Sequence, residues 1–383
     1  MSSSIRPLHV GKFVPPPFAG METHVDTLLR AIAPHAESTL VASEPWPRSG
    51  LTGNGGNRPY RILPIRNYAT LASVPLSPGV LVAVKQELQS ERCNLLHVHA
   101  PNPWSDFAAI SCRGKAPVVM TWHSDIIRQQ NLLRIYGAVQ KKALRCVDRI
   151  IVFTPKHFES SRQLQLGGLE AKVVSVPIGI DFARLDSVEP NPQSVTGIQQ
   201  WAEGRPILLS VGRHVYYKGY QHLIASLKGM RSDAVLVMIG VGPLSGELKR
   251  QAQELGVAAR VKFMGEVDEA TLVGALRLCD VFCLPSIEQS EAFGIASAEA
   301  MAFGKPTVVC QLHNGVNYLN KDGITSLVTP PKDVAALRDA LDHLVRDEPL
   351  RLRMGVAARD WVRSEFALSA MRDGTLALYR SLL

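Results

Sequence analysis

The chain has 383 residues, 46% of them hydrophobic, with 42 Lys and Arg against 34 Asp and Glu for a formal charge of +8. That length fits two or three domains, and the apolar content excludes disorder as the main state. The basic balance favours an anionic partner (phosphate, nucleotide, nucleic acid or lipid headgroup) without choosing among them. The six cysteines, at 93, 112, 146, 279, 283 and 310, are sparse and sit mostly in apolar stretches. They read as reduced and buried, which fits a reducing compartment. Cys279 and Cys283 have metal-pair spacing, but no second Cys/His pair completes a zinc set. The first residues, Met-Ser-Ser-Ser-Ile-Arg-Pro, lack an apolar signal core, and no run approaches the ~20 apolar residues of a membrane span. A cytoplasmic protein is expected, with attachment to a membrane surface left open.

Short apolar runs predict strands at Leu8–Val14, Thr39–Ala42, Leu95–Val98, Val118–Trp122, Arg149–Phe153 and Val173–Val176. A second series follows at Ile207–Val211, Ala234–Ile239, Val261–Met264, Val281–Leu284 and Thr307–Cys310. Continuous rather than alternating apolarity marks strands buried on both faces, hence parallel sheets covered by helices. With helical patterns between the strands, the expected fold class is α/β, two doubly wound Rossmann-like domains facing across a cleft. The stretch Asp186–Pro206, rich in Pro, Asn, Gln, Ser and Gly, reads as linker and loop. The predicted division is 1–185, 186–365 and a last segment, 366–383. Asp333–Leu383 reads as helical, broken near Pro349.

In chain order, the first chemical candidate is the loop Phe13-Val-Pro-Pro-Pro-Phe-Ala-Gly20, where Gly20 lets backbone approach a phosphate or an acceptor. Glu22 and His24 read as helix-start residues. His97 and His99 end one strand and read as structural, while His123, in Val118-Val-Met-Thr-Trp-His-Ser-Asp125, ends another and is a candidate contact for a transferring sugar. Leu132–Arg149 is amphipathic: Leu132, Tyr136, Val139, Ala143 and Val147 share one face, and Arg134, Lys141, Lys142, Arg145 and Arg149 the other. That basic face suits an anionic lipid surface, and equally an ordinary solvated helix face.

The second series carries the anion chemistry. Ser210-Val-Gly-Arg213-His-Val-Tyr-Tyr-Lys218-Gly219 follows a strand and brings two cations to its carboxyl end. Two fixed cations stabilise the charge that grows on a departing diphosphate. Gly240-Val-Gly242, with Met264 on the next strand, is assigned to a nucleobase pocket, a plain strand–helix turn being the alternative. Glu291-Ala-Phe293-Gly294-Ile295-Ala-Ser-Ala-Glu299 opens a helix whose first N–H groups form an anion site. Glu291 is expected in the loop before the helix and Glu299 roughly two turns in; eight steps at ~1.5 Å span ~12 Å, close to the length of a nucleotide sugar from hexose to ribose.

These motifs together resemble the retaining glycosyltransferases of glycosyltransferase family 4, which have the GT-B fold. The resemblance spans nearly the whole chain and rests on the Pro-Pro-x-x-Gly20 loop, Val-Pro-Ile-Gly-Ile-Asp181, Val-Gly-Arg213 with Lys218-Gly219, the Glu291/Glu299 pair and the tail Met354-Gly to Phe366. His-Ser-Asp125 with Arg128-Gln is similar to the branch that adds mannose or rhamnose to bacterial surface polysaccharides. The resemblance implies that Arg213, Lys218 and the N–H groups of Phe293, Gly294 and Ile295 hold the donor diphosphate. It implies Glu291 on donor-sugar hydroxyls, Glu299 on the ribose, His123 near the reacting carbon and Gly20 at the phosphate from the other domain. It also implies no metal and no cofactor, a nucleotide-sugar donor with GDP-mannose favoured, and a lipid-linked glycan acceptor in lipopolysaccharide synthesis at the inner membrane face. The last helix is implied to cross back to the first domain. Two departures stand out. The family's paired glycine is Ala19-Gly20 here, and its Gly-Gly-x-Pro-Glu segment is replaced by His313-Asn-Gly-Val-Asn-Tyr318.

Two other readings use the same features. A sugar-nucleotide epimerase shares the architecture but has no need of a basic amphipathic helix. A nucleic-acid-binding protein would use the positive charge, yet aromatics are only 6% and the cations flank strand ends rather than an aromatic-studded sheet. Nucleic acid is therefore not an expected partner.

Overall fold

Strand residues that point alternately to two faces, each covered by helices, account for the unbroken apolar runs. In the computed structural model, which describes residues 4–15, 20–44, 58–71, 74–126, 130–165 and 168–383, they form two parallel sheets. The first contains β1 (Pro7–Phe13), β2 (Thr39–Ser43), β3 (Arg61–Ile65), β6 (Leu95–Ala100), β7 (Val118–Trp122), β8 (Arg149–Val152) and β9 (Val173–Ser175), in the order β3-β2-β1-β6-β7-β8-β9. A small antiparallel pair, β4 (Thr70–Leu71) and β5 (Val74–Pro75), stands apart. The second sheet contains β10 (Ile207–Val211), β11 (Val235–Ile239), β12 (Val261–Gly265), β13 (Val281–Leu284), β14 (Thr307–Cys310) and β15 (Ser326–Thr329), in the order β12-β11-β10-β13-β14-β15.

Neighbouring residues on one strand enter opposite cores. Leu8, Leu96, Val98, Val118 and Met120 pack with the helices Gly79–Gln89, Pro103–Cys112 and Gln130–Cys146. Leu40, Leu95, Val119 and Ile151 pack with Gly20–Ile32 and Leu368–Arg380. The second sheet divides in the same way, Leu208, Leu236 and Val281 to one side and Leu209, Val237 and Phe282 to the other. Each fully buried Leu, Val or Phe contributes roughly 1.5–3 kcal/mol of hydrophobic stabilisation.

The chain forms two compact units, Met1–Gly179 with Leu368–Leu383, and Ile180–Ala367. The last helix, Leu368–Arg380, buries Met371, Leu376 and Tyr379 in the first unit's core. The stretch expected to be a linker instead belongs to the second unit and contains the helix Pro192–Ala202. Its Asn191-Pro192 pair is a helix start, the Asn191 side chain accepting from the Gln193 and Ser194 N–H groups and Pro192 occupying the first turn. Near Pro349 the tail breaks at Asp347, whose side chain caps the helix Glu348–Glu365. All six cysteines are free and buried.

Candidate active site

In both sheets the strand order reverses beside the first strand of the unit, between β1 and β6 and between β10 and β13. In open parallel sheets ligands bind outside the carboxyl ends of the strands at such points. The second unit's motifs gather there. After β10, Gly212 adopts φ 148°, and a tight turn at Tyr216–Lys218 ends on Gly219 at φ 68°. After β13, residues 285–294 lead into the helix Ile295–Ala302. The two loops touch directly. The Ile287 N–H donates to the Tyr217 carbonyl at 2.8 Å, and the Tyr216 hydroxyl donates to Glu288 Oε2 at 2.6 Å.

Lys218 Nζ lies 2.5 Å from Glu291 Oε2, each side chain 12% exposed. Ser286 Oγ donates to the same carboxylate oxygen at 3.0 Å. Asn314 donates from Nδ2 to the Glu291 carbonyl at 2.7 Å while its Oδ1 caps the short helix Gly315–Leu319. The segment that departs from the family pattern thus supplies a clamp for Glu291. Sequence reasoning missed Ser286, Glu288 and Asn314, although Asn-Gly is a helix-capping signal of its own. Arg213 is exposed at the end of β10.

Gly294 is the residue before the helix, in left-handed backbone at φ 85°. Its carbonyl accepts from the N–H groups of Ser297 and Ala298. The N–H groups just before these, Ile295 among them, have no partner further back in the helix. Phe293 is buried. Glu291 stands in the loop before the helix, as expected, but Glu299 is the fifth residue of the helix and so lies one turn in, not two, which makes a ~12 Å helical rise between them too long. Burial raises the Glu299 carboxyl to about 7, with Arg184 opposing and Glu269 adding to the shift.

Gly240 and Gly242 stand at the end of β11. Gly240 has φ 121°, and a Cβ there would meet the Gly212 carbonyl oxygen at 2.2 Å. The Gly212 N–H donates to the Ile239 carbonyl, and the His214 N–H to that of Val241. These glycines therefore let the β10 and β11 loops lie against each other, beside Met264 on β12.

In the first unit, Gly20 is exposed and opens the helix Gly20–Ile32. The loop before it, 16–19, lies outside the described residues, as do Arg128 and the side chain of Arg134. His123 directly follows β7, half-buried, with His24 edge-on at 5.0 Å. Its Nε2 meets His99 Nδ1 at 3.1 Å. Burial keeps His123 neutral, holding its pKa well below the ordinary imidazole range. The amphipathic segment is the helix Gln130–Cys146. Ala143 and Leu144 are in the core, and Lys141, Lys142 and Arg145 are exposed. Arg149 lies on β8, beyond the helix. Among the described residues no helix is long and apolar enough to cross a membrane.

Residues 18–184 match the family Glycosyltransferase Family 4, and residues 195–361 match Glycosyl transferases group 1. O-antigen chain mannosyltransferase C of Escherichia coli is 30% identical over 382 residues, 99% of each chain. The chain belongs to the family 4 type of glycosyltransferase. D-rhamnosyltransferase WbpZ of Pseudomonas aeruginosa is 35% identical to this glycosyltransferase over 276 residues, 72% of this chain and 69% of that one. Anabaena HepE in complex with UDP has the same fold, with a TM-score of 0.81 at 18% identity over 99% of this chain and 100% of that one. The fold is GT-B, two Rossmann-like halves, as the sequence implied.

Proposed function

We propose that this glycosyltransferase moves a hexose, mannose- or rhamnose-like, from a nucleoside diphosphate sugar to a lipid-linked glycan in surface polysaccharide synthesis. The Lys218–Glu291 pair beside the helix start at Gly294 carries the proposal. A cation, a ring of backbone donors and a carboxylate together match a diphosphate joined to a polyhydroxylated ring. The mannosyl- and rhamnosyltransferase relatives support the sugar class, with GDP-mannose the favoured donor.

In this reading Arg213, Lys218 and the N–H groups of Phe293, Gly294 and Ile295 bind the diphosphate, a group to which the family resemblance also assigns Gly20. Glu291 holds sugar hydroxyls, Glu299 the ribose and His123 the ring near its reacting carbon. Gly240, Gly242 and Met264 border the base. The bond from the anomeric carbon to the diphosphate oxygen breaks, and the acceptor hydroxyl oxygen bonds to that carbon on the same face. The leaving phosphate oxygen takes the hydroxyl proton, so configuration is retained. The positive charge comes from Arg213, Lys218 and the helix end, and no metal or cofactor is assigned a part. The exposed Lys141, Lys142 and Arg145, continued by Arg149 and Arg134, dock the protein on the anionic inner face of the cytoplasmic membrane.

A thermal-shift screen of GDP-, UDP- and dTDP-sugars tests the donor. Stabilisation by one nucleotide class is expected, lost in Lys218→Ala, because a ligand that binds only the folded state raises its stability by mass action. No response to any nucleotide sugar would overturn the proposal.

A further inference from the structure

The alternation Leu8-His9-Val10 and Leu96-His97-Val98-His99 puts leucine and valine on one face of the first sheet and histidine on the other. His9 and His97 are register partners, as are His99 and Thr121 on the next strand. All four side chains are buried, beneath the face that the helix Leu368–Arg380 covers with Tyr379. With Tyr379 between His97 and His9, they form one hydrogen-bonded chain. Thr121 Oγ1 meets His97 Nε2 at 2.7 Å, and His97 Nδ1 meets the Tyr379 hydroxyl at 2.5 Å. That hydroxyl meets His9 Nε2 at 3.3 Å, and His9 Nδ1 meets His99 Nε2 at 3.1 Å. His99 Nδ1 then meets His123 Nε2 at 3.1 Å.

We propose that this chain sets the tautomer of His123, and that Tyr379, His9 and His99 are positioning residues for the sugar-transfer site. The step from tautomer to turnover rests on the role given to His123 above. Burial holds every ring neutral, His9 down to about 3 and His97, His99 and His123 well below the ordinary range. A neutral imidazole has one N–H and one lone pair, so each link needs a donor on one side and an acceptor on the other. The chain then has two proton orders. In one, His123 Nε2–H donates to His99, and the order runs through His9, Tyr379 and His97 to Thr121, with every ring protonated at Nε2. In the other, Thr121 donates, and every ring is protonated at Nδ1. The remaining nitrogen of His123, Nδ1, is an acceptor in the first order and a donor in the second.

The same rings also place nitrogens within 4.8 Å of one another in two trios, His9/His97/His99 and His24/His99/His123. Shared ligation of a metal fits less well than the relay. The rings of His97 and His99 are stacked at 4.6 Å and 19°, so their in-plane lone pairs run parallel rather than converge. Both nitrogens of His99 already have hydrogen-bond partners.

The experiment is a long-range ¹H–¹⁵N correlation on the full-length protein labelled at histidine nitrogen, with wild type and Tyr379→Phe compared. In wild type, His9, His97, His99 and His123 are expected to share one tautomer. In Tyr379→Phe, which keeps the ring and removes the link, the His9 and His123 nitrogens should shift towards mixed tautomers. In the same variant, kcat should fall on the order of tenfold at unchanged donor KM, the scale of a lost outer partner of an imidazole. Mixed tautomers in wild type, a nitrogen shifted by bound metal, or unmoved His123 signals in folded Tyr379→Phe would each overturn the proposal. The wild-type measurement needs no variant, and the tautomer readout needs no turnover, so failure of the relay is separable from failure of the donor assignment.

Discussion

Lys218 and Glu291 come from loops after two different strands and meet as a nearly buried ion pair at 2.5 Å. Each loop is therefore held by the other before any donor arrives. The pairing also cancels the Lys218 charge locally, so on the proposed role an incoming diphosphate would draw the ammonium partly away from the carboxylate and leave that carboxylate to sugar hydroxyls. On the proposed donor site, one pair would then respond to both the diphosphate and the sugar.

Lys218→Ala and Glu291→Ala should each lower kcat/KM by at least about 10²-fold, the scale of a lost transition-state donor. Each leaves a nearly buried charge without its partner, so each should also cost roughly 1–3 kcal/mol of stability. Steady-state transfer and urea unfolding measure the two. Wild-type turnover by either variant removes that residue from the mechanism.

Glu299 gives a pH test. Its carboxyl is raised to about 7, so near neutrality the free protein carries it partly protonated. On the proposed role, ribose hydroxyls would donate to the ionised form, so donor binding would favour proton release and affinity should rise as pH goes from 6 to 8. Calorimetric titration with the nucleoside diphosphate sugar, whose diester phosphates do not titrate between pH 6 and 8, should show that slope in wild type and lose it in Glu299→Gln. Folding has the opposite sign. The native state binds more protons than the unfolded chain between its carboxyl pKa of ~4.3 and about 7, so stability from this group falls as pH rises through that window. Glu299→Gln should flatten that fall as well.

Gly240→Ala should be worse than an ordinary glycine change. The backbone is at φ 121°, and the new Cβ would lie 2.2 Å from the Gly212 carbonyl oxygen. The β10 loop must move, and Arg213 and Lys218 move with it. A loss of more than about 1 kcal/mol in unfolding free energy is expected, together with weaker nucleotide binding. Unchanged binding would show that the two loops are independent.

Lys141→Glu with Lys142→Glu tests the membrane reading. Both side chains are exposed, while Ala143 and Leu144 beside them are in the core, so charge can be reversed without disturbing the packing. At ~1 kcal/mol per cation near an anionic surface, binding to phosphatidylglycerol vesicles should fall by more than about tenfold. Equal sedimentation of variant and wild type would end the membrane assignment.

The central strands were legible because both faces of each are covered, which writes an unbroken apolar run. The edges were not. Arg61–Ile65, with a proline and two exposed positions, and the short Ser326–Thr329 are the outer strands β3 and β15, where one side goes unpaired and selection for such a run is weak. The helix Pro192–Ala202 was hidden by its own start signal, since Asn-Pro marks a turn as readily as a cap. At the site, Lys218 and Glu291 could be named from their motifs, but their contact could not, because 73 positions separate them. The β6 histidines, His97 and His99, read as structural one by one, and nothing singled out His9 on β1. Only strand register shows that they form one row.

The return of the last helix to the first unit has a consequence for biosynthesis. Ile180–Ala367 emerges from the ribosome as one continuous stretch, whereas the opening 179 residues wait for Leu368–Leu383 to complete their core. The second half to be translated can therefore mature first. A nonsense codon removing only the final turns, Tyr379 included, would leave Ile180–Ala367 whole and take a fully buried side chain out of the first unit's core.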